Sequence, residues 1–409
     1  MGCASSRTTQ PTIIKGFLIE KLEIHGGGIN CTALSEDYSL LATGSEDETV
    51  NLWSTQSTPV ELLGTLQGHT SYVTHAVVHG NYVVTASADK TLKKWSIVDA
   101  RCVYTYHGHT ARVNRVLCTG DFVFSTSHDK TAIAWHFSAD VILQEELERQ
   151  MLAQVSQPEP VGLNGSQSQE EDPESDDNGD DNEEEQRPNI VITGSHDCTA
   201  RTWDLYSCEC LKVLKGHTAP INAMAVDSEG RLLFTGGGDG VIRSWYLKSG
   251  ECQRVLTGHQ GAIVCLLAHG RMLYSGSSDH TARAWVMEFG ECTRVYRGHH
   301  HTVDCIRYHD RMLYTGSGDK VARMYEAKSG TLKRSFRGHE NGVVCIEVVD
   351  GRLFTGSYDG AVFVWDTTGV IDETVFGEED LELEEEELPE DSDEVKKAVN
   401  FLEPFIHEG

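Results

Sequence analysis

Histidine and aspartate recur in pairs along this chain of 409 residues, and such pairs can perform acid–base chemistry. Six Gly-His dipeptides are each followed by an aspartate 20 or 22 residues later. An imidazole beside a carboxylate can accept or deliver a proton during catalysis. A catalytic pair is needed only once, however, whereas this pair is present in nearly every copy of a repeated segment. The sequence therefore predicts that the pairs are structural and that the chain has no catalytic residue.

The elements that must position these pairs are eight copies of one 11-residue segment. The first copy reads TGSEDETVNLW at 43–53, and the last reads TGSYDGAVFVW at 355–365. Their aspartates are Asp47, Asp89, Asp129, Asp197, Asp239, Asp279, Asp319 and Asp359. Successive aspartates are 40 or 42 residues apart, except for a gap of 68 between the third and the fourth. Each copy alternates short β-type runs with turns, which predicts four strands in every unit.

A Gly-His pair before most units and a Trp at the end of most units resemble the WD-repeat β-propeller family. The resemblance covers about residues 17–369 and implies an all-β fold, a single closed β-propeller of eight blades. A seven-bladed ring with one degenerate unit is the alternative. Family propellers close when the N-terminal strand completes the last blade, which leaves no bare strand edge. We therefore expect residues 17–24 to pair beside Trp365, with residues 370–376 as a competing strand.

In this family a His, a strand Ser or Thr, a turn Asp and a Trp form a hydrogen-bonded tetrad in each blade. The resemblance implies these tetrads here: His69, Ser87, Asp89 and Trp95; His109, Ser127, Asp129 and Trp135; His259, Ser277, Asp279 and Trp285; His339, Ser357, Asp359 and Trp365. Gly237 replaces the serine of unit five, Tyr325 replaces the Trp of unit seven, and unit four has no matching His. We expect those three blades to be softer, and blade four to take its inner strand from about 150–156.

Cysteine follows the same repeat. Four cysteines lie six residues after a marker His, and four others lie seven residues before one: Cys31, Cys265, Cys305, Cys345, Cys102, Cys210, Cys252 and Cys292. Their equivalent strand positions predict small apolar fillers with reduced thiols. The run 299–301 holds three histidines, but His299 belongs to a tetrad, so we predict no metal site and no cofactor. The glycine-rich run 235–240 is interpreted as a blade turn and not as a dinucleotide loop.

Acidic residues are concentrated in two stretches. The net charge is −29, of which residues 145–187 contribute −13 and residues 370–409 contribute −14. Both stretches are poor in aromatic residues, so we predict a mostly disordered insert at about 157–187 and an acidic tail at 370–409. Within the tail, apolar residues at helical spacing predict a short amphipathic helix near 393–403. The excess of carboxylates argues against a nucleic-acid partner.

The N-terminal residues 1–16 begin Met-Gly-Cys-Ala-Ser-Ser-Arg. This matches the acceptor pattern for myristoylation of Gly2, and Cys3 beside it could carry a palmitoyl chain. One acyl chain binds a membrane only marginally, and no polybasic second signal is present, so a stable anchor requires Cys3. We expect a flexible, acylated tether that holds the protein on the cytoplasmic face of a membrane. An ordinary flexible tail is the alternative. The chain has no apolar run long enough to span a membrane and no signal peptide.

These features predict a non-enzymatic scaffold that binds proteins or peptides. By resemblance to the family, the binding face is lined by Tyr72, Arg112, Asn114, His128, His196, Asn222, Asp304 and Tyr358. The partners that we expect are proteins or peptides on this face and a membrane through the N-terminal lipid, and we expect the chain to be monomeric. The alternative function is a substrate-recognition subunit of a ubiquitin ligase, recruited through the propeller. An enzyme with an unrecognised site is a third possibility in principle, but no catalytic signature supports it.

Overall fold

The computed structural model describes residues 17–138 and 190–369, and every regular element in these ranges is a β-strand. The chain divides into a unit of residues 1–368 and a second unit, 369–409, of which only Gly369 is described. Several predictions lie outside the described residues. They concern acylation at Gly2 and Cys3, the inner strand at about 150–156, the insert at about 157–187, the competing strand at 370–376 and the helix near 393–403.

Thirty strands form eight antiparallel sheets in the described ranges. Blade one consists of β2 (Ile29–Leu34), β3 (Leu40–Ser45), β4 (Val50–Ser54) and β5 (Glu61–Leu66). Blade two consists of β6 (Val73–His79), β7 (Tyr82–Ser87), β8 (Thr91–Ser96) and β9 (Cys102–His107). Blade three has β10 (Val113–Thr119), β11 (Phe122–Ser127) and β12 (Ala132–His136), and blade four has β13 (Ile190–Gly194), β14 (Thr199–Asp204) and β15 (Cys210–Lys215).

The remaining four blades each have four strands. Blade five consists of β16 (Ile221–Val226), β17 (Leu232–Gly237), β18 (Ile242–Tyr246) and β19 (Cys252–Leu256). Blade six consists of β20 (Ile263–His269), β21 (Met272–Ser277), β22 (Ala282–Val286) and β23 (Glu291–Tyr296). Blade seven consists of β24 (Val303–His309), β25 (Met312–Ser317), β26 (Val321–Glu326) and β27 (Leu332–Arg337). Blade eight consists of β28 (Val343–Val349), β29 (Arg352–Ser357), β30 (Val362–Asp366) and β1 (Leu18–Leu22).

The N-terminal strand closes the ring, as the sequence predicts. β1 pairs antiparallel with β30, with Leu18 opposite Trp365 and Leu22 opposite Val362. The backbone N–H of Val60 in blade one also donates to Glu20 Oε2 at 2.8 Å, which ties β1 to the neighbouring blade. The prediction of an all-β propeller with eight blades is confirmed, and the seven-bladed alternative is wrong because each of the eight units has its own sheet.

Each turn between a second and a third strand is built around the repeated aspartate. In blade two, Asp89 Oδ1 accepts the backbone N–H of Thr91 at 2.9 Å. The residue between them, Lys90, has φ of 74°, in the left-handed region that costs a non-glycine residue energy. The Asp side chain offsets that cost because it hydrogen-bonds the backbone across the turn. Glycine fills the same position in blade eight, where Gly360 has φ of 80°.

Two faces of the propeller follow from this topology. We define the upper face by two sets of loops. The first set is the connections that lead into first strands, at 23–28, 67–72, 108–112, 216–220, 257–262, 297–302 and 338–342. The second set is the turns between second and third strands, at 46–49, 88–90, 128–131, 195–198, 238–241, 278–281, 318–320 and 358–361. The lower face holds the turns between first and second strands and those between third and fourth strands. Backbone hydrogen bonds join the two kinds of loop on each face, for example Ala88 N to Tyr72 O at 3.0 Å above and Met287 N to Arg271 O at 3.1 Å below.

Blades three and four differ from the others because only three strands of each are described. Residues 139–189, which separate β12 from β13 in the chain, lie outside the described ranges. A cavity of about 500 Å³ lies where the two sheets meet, and its walls include Phe124, Ala134, Ile192 and Trp203. These apolar side chains are the part of the core that the described strands leave uncovered.

Candidate functional site

The repeated His, Asp and Trp residues meet beneath the upper face. In blade two, His69 Nδ1 lies 2.6 Å from Asp89 Oδ2, and His69 Nε2 lies 2.7 Å from the hydroxyl oxygen of Thr85. The indole N–H of Trp95 donates to the same hydroxyl oxygen at 2.9 Å. The carboxylate can only accept and the indole can only donate, so the direction of every bond is fixed. Trp95 donates to Thr85, Thr85 donates to Nε2, and the Nδ1–H donates to Asp89.

The predicted position of the hydroxyl is wrong by two residues. The tetrad hydroxyls are Thr85, Ser125, Ser275 and Thr355, and not the predicted Ser87, Ser127, Ser277 and Ser357. Residues two apart on a strand share a face but lie about 7 Å apart, so only one of them can bridge the His and the Trp. Ser87 lies at the strand end, where its hydroxyl oxygen accepts the N–H of Asp89 at 3.1 Å. The other three serines cap their turns in the same way.

Six blades contain a complete network. Besides the four predicted ones, blade one uses His25, Thr43, Asp47 and Trp53, and blade five uses His217, Thr235, Asp239 and Trp245. The sequence marks His25 as the counterpart of the other histidines although isoleucine precedes it, but the tetrads of blades one and five were not among the predicted ones. The signal for both is the spacing of 22 residues between His25 and Asp47 and between His217 and Asp239.

The three blades that depart from the tetrad pattern, blades five, seven and four, each do so in a different way. In blade five, Asp239 Oδ1 occupies part of the space that a side chain at Gly237 would take, since a Cβ there would lie 2.5 Å from it. In blade seven, the Tyr325 hydroxyl donates to the carbonyl of Arg297 at 3.0 Å and also interacts with the Thr315 side chain, so a tyrosine stands near the hydroxyl that Trp contacts in other blades. In blade four, Arg201 takes the place of the His as the partner of Asp197, with Nη2 3.0 Å from Oδ2. The predicted softness of these blades stays a prediction.

Burial and hydrogen bonding hold the tetrad of blade six in one protonation state. Burial alone would raise the pKa of Asp279, but hydrogen bonds from Thr281, the Gln260 backbone and His259 outweigh it and lower the pKa to about 2. Burial also lowers the pKa of the His259 imidazole, against the opposing effect of Asp279. Asp279 is therefore charged and His259 neutral at pH 7. Because both ring nitrogens are engaged and the ring is buried, it acts as a brace and not as a proton carrier.

The structure separates the eight predicted face residues into two groups. Tyr72, Arg112, His128, His196 and Tyr358 lie in upper-face loops, and Arg112 Nη1 donates to the Tyr72 hydroxyl at 3.5 Å. Tyr358 is 47% exposed, which makes it the large aromatic of this group that is most available to a partner.

The second group lies on first strands and contacts the next blade. Asn222 Nδ2 donates to the carbonyl of Ile263 at 2.9 Å, so its amide is used between blades five and six. The sequence analysis missed two equivalents, since Asn30 donates to the Val73 carbonyl at 2.9 Å and Thr74 to the Val113 carbonyl at 2.7 Å. Asn114 and Asp304 occupy the same strand position.

Asp304 is the exception in this row. A carboxylate has no proton to donate, unlike the amide or hydroxyl found at the equivalent position of other blades. Burial raises the pKa of Asp304 to about 7, with a smaller opposing effect from the backbone N–H of Gly318. The site therefore favours the protonated acid, which can donate as Asn and Thr do.

The cysteines fill two different environments. Sγ of Cys31 and Cys345 is buried against Gly44 and Gly356 of the neighbouring second strand, where a Cβ would come within 2.7 and 2.6 Å of the sulfur. The prediction of apolar fillers is wrong for the four on fourth strands, because Cys102, Cys210, Cys252 and Cys292 are exposed on the outer strand. Within 17–138 and 190–369, no group of three or more His, Cys, Asp or Glu residues is arranged to hold a metal ion.

Comparison with solved structures agrees with this architecture. A computationally designed protein, Ika8, superposes with a TM-score of 0.68 at 25% sequence identity, over 86% of this chain and 100% of that one. This similarity supports the propeller fold.

Curated relatives match over short stretches only. Mitochondrial division protein 1 of Candida glabrata is 31% identical over 96 residues, which are 22% of this chain and 14% of that protein. Nuclear distribution protein PAC1 of Tuber melanosporum is 41% identical over 68 residues, which are 16% of this chain and 14% of that protein. The chain thus matches about one seventh of the length of these relatives, so their functions do not transfer by length alone.

A family model identifies the repeats themselves. The model described as WD domain, G-beta repeat matches residues 16–54, 60–96, 100–136, 208–246, 250–285, 290–326 and 330–366. The matches leave out residues 137–207, which hold the acidic insert and strands β13 and β14 of blade four. Together they cover more than half of the chain, and the chain therefore belongs to the WD-repeat family.

Proposed function

We propose that the protein is a non-catalytic scaffold whose upper face binds proteins or peptides. The observation that carries this proposal is the use of the His and Asp side chains. In seven blades they are engaged by hydrogen bonds that are buried or partly buried, so they stiffen the ring and leave recognition to the outward-facing loop residues. A rigid ring that presents varied loops is suited to binding because little conformational entropy is lost on association.

Two kinds of upper-face residue are the expected anchors. Arg112 and Tyr72 form one pair, and Tyr358 lies exposed in blade eight. Arginine and tyrosine are enriched among the residues that dominate binding energy in protein interfaces. We therefore expect a partner to lose affinity when these side chains are truncated, more than when exposed residues of the outer wall are.

The test compares proteins captured by the tagged full chain and by two variants. One variant is Arg112→Ala with Tyr358→Ala, and the control is Leu63→Ala, a 54% exposed residue of the outer strand β5. We expect a set of captured proteins to disappear with the face variant and to persist with the control. Equal capture by all three chains would contradict the proposal. Ubiquitin-ligase subunits among the face-dependent proteins would favour the alternative function.

We propose acylation at Gly2 and Cys3 as the means of membrane attachment, on the cytoplasmic side. The match to the acceptor pattern and the adjacent cysteine support it, because two chains are needed for stable binding. No helix within residues 17–138 and 190–369 has the length and apolar character needed to cross a bilayer. Intact-mass measurement of the protein from eukaryotic cells should show added acyl chains. Gly2→Ala should shift the protein to the soluble fraction, and an unmodified mass would contradict this proposal.

We also propose that the chain is monomeric and binds no nucleic acid, since a net charge of −29 repels phosphates. Light scattering after gel filtration and a gel-shift assay with duplex DNA and RNA test these two statements. Within the family, the order of the repeats and the position of the insert resemble WD repeat-containing protein 86, and we propose that subfamily.

A further inference from the structure

Three turns of the lower face expose large apolar side chains at their tips. Val98 is 88% exposed, Tyr206 is 69% exposed and Phe289 is 58% exposed. Each lies between the third and fourth strands of its blade, in blades two, four and six. On the upper face, the corresponding large exposed apolar residues are Ile24 and Tyr358. Gly, Pro, Asn, Asp and Ser dominate turns, whereas these three tips carry large apolar side chains on one face of the ring.

Contacts between blades show that such turns lie side by side on one face. Arg254 Nε of blade five donates to the Glu288 carbonyl in the turn of blade six at 2.9 Å. Arg294 Nε of blade six donates to the Lys328 carbonyl in the turn of blade seven at 2.7 Å. Arg334 Nη1 of blade seven donates to the Asp366 carbonyl, at the end of β30, at 2.7 Å. The apolar tips are in blades two, four and six, and Tyr38 of blade one, 58% exposed, lies in a turn of the same face, so a flat surface can touch several of them.

The chain enters the propeller from this same face. β1 runs antiparallel to β30, so Phe17 lies beside the end of β30, where its carbonyl accepts the N–H of Asp366 at 2.7 Å. The Phe17 ring is 50% exposed and lies 3.3 Å from the guanidinium carbon of Arg334. The chain reaches the upper face only at His25, which contacts Asp47. Residues 1–16 therefore join the propeller at the lower face.

We propose that the lower face lies on a lipid bilayer, with Val98, Tyr206, Phe289 and Phe17 dipping into the interface, so that the upper face points into the cytoplasm. This inference rests on the acylation proposed above. A segment of about 14 residues between the acylated positions and Phe17 spans at most about 50 Å, and it starts on this face. One acyl chain binds marginally, and the buried tips add apolar contact that strengthens it.

The charges of the lower face specify the lipid. Carboxylates accompany the tips, with Asp99 next to Val98 and Glu288 next to Phe289. Cations lie in the same turns, with Arg101 Nε 3.7 Å from Asp99 Oδ2, so the face has no excess of positive charge that would recruit anionic headgroups, and a zwitterionic surface is sufficient. Phosphatidylcholine should therefore suffice, and phosphatidylserine should add nothing or weaken binding.

The test uses the myristoylated full chain and sedimentation with phosphatidylcholine vesicles. The variant Val98→Asp, Tyr206→Asp, Phe289→Asp is compared with Tyr358→Asp, a matched exposed aromatic on the upper face. We expect the triple variant to bind at least about tenfold more weakly and Tyr358→Asp to bind like the parent chain. A triple variant to serine, which adds no charge, should show a smaller loss of the same kind. Circular dichroism confirms that each chain is folded.

Two results would overturn the inference: unchanged binding of both triple variants, or an equal loss with Tyr358→Asp. The failure of acylation is recognised separately, by the intact mass of the protein from cells. In that case the chain carries an N-terminal hexahistidine tag, which anchors it to vesicles that contain a nickel-chelating lipid. Protection of the three tips from hydroxyl-radical labelling on these vesicles supports the orientation, and protection of Tyr358 instead contradicts it.

Discussion

Blade eight and blade four are built on the same aspartate and tryptophan, but they use them in different surroundings. In blade eight the His339 side chain is 1% exposed and its partner Asp359 is 11% exposed. In blade four the pair is Arg201 and Asp197, at 41% and 45% exposed. Both aspartates cap the same turn, through the N–H of Ala361 and of Thr199 at 2.9 Å. The comparison predicts that burial, more than residue identity, decides how much a repeated motif contributes to stability.

Removal of the tryptophan should give the largest difference in stability loss between blade eight and blade four. Trp365→Ala opens a cavity in a core where the side chain is 3% exposed, so we expect a loss of about 3–5 kcal/mol in the free energy of unfolding. Trp203 is only partly buried, so Trp203→Ala should cost about 1–2 kcal/mol. Urea denaturation followed by circular dichroism measures both. Equal losses would break the comparison.

Removal of the polar partner of the aspartate should give the second-largest difference in stability loss between the two blades. His339→Ala leaves Asp359 and the Thr355 hydroxyl without the ring that lies 2.8 and 2.7 Å from them, and we expect a loss of about 2–3 kcal/mol. Arg201→Ala removes an exposed ion pair, which contributes about 0.5 kcal/mol or less. The same denaturation series measures these variants. A larger effect of Arg201→Ala would show that blade four depends on its arginine as blade eight depends on its histidine.

The effect of burial can also be tested through the pH dependence of stability, because blade seven contains a partly buried acid, Asp304. The pKa of Asp304 is about 7 in the folded protein, whereas an unfolded aspartate titrates near 3.9. The folded state binds this proton more tightly, so its contribution to stability is lost as the pH rises from about 4 to 7. Asp304→Asn should stabilise the protein by about 1–3 kcal/mol at pH 8 and have little effect at pH 4. Thermal denaturation at both pH values measures this, and a gain that does not depend on pH would contradict it.

Thiol reactivity gives the smallest contrast. Burial raises the pKa of Cys31 to about 12 and raises that of Cys345 further, whereas Cys252 and Cys292 are exposed. A thiolate is the reactive form, so iodoacetamide should label the exposed pair in the native protein and spare the buried pair. Peptide mass spectrometry gives the extent of labelling at each site. Equal labelling would mean that the inner strands open on the time scale of the reaction.

The sequence was sufficient to predict features that repeat along the chain. It was insufficient to predict features that depend on how deeply a side chain is buried. The spacing of the aspartates predicted eight blades, and the run 17–24 predicted the strand that closes the ring. The tetrad hydroxyl was misplaced because Thr85 and Ser87 share one strand face, and strand periodicity does not distinguish them. The cysteines of the fourth strands were wrongly predicted to be apolar fillers like those of the first strands, because equal spacing does not reveal that fourth strands face solvent. Arg201 was not recognised as a substitute for histidine because it comes from a different strand.

Closure by β1 has a consequence for synthesis of the chain. The first of the described strands to leave the ribosome pairs with the last of them, since Leu22 lies opposite Val362. Its hydrogen-bonding edge must wait until nearly the whole propeller has been translated, while the growing array exposes an unpaired edge that can join to another chain. The final seam is thus a contact of very long sequence separation, which makes ring closure slow compared with the formation of single blades. A ligand that captures residues 18–22 during translation would trap the protein as an open arc.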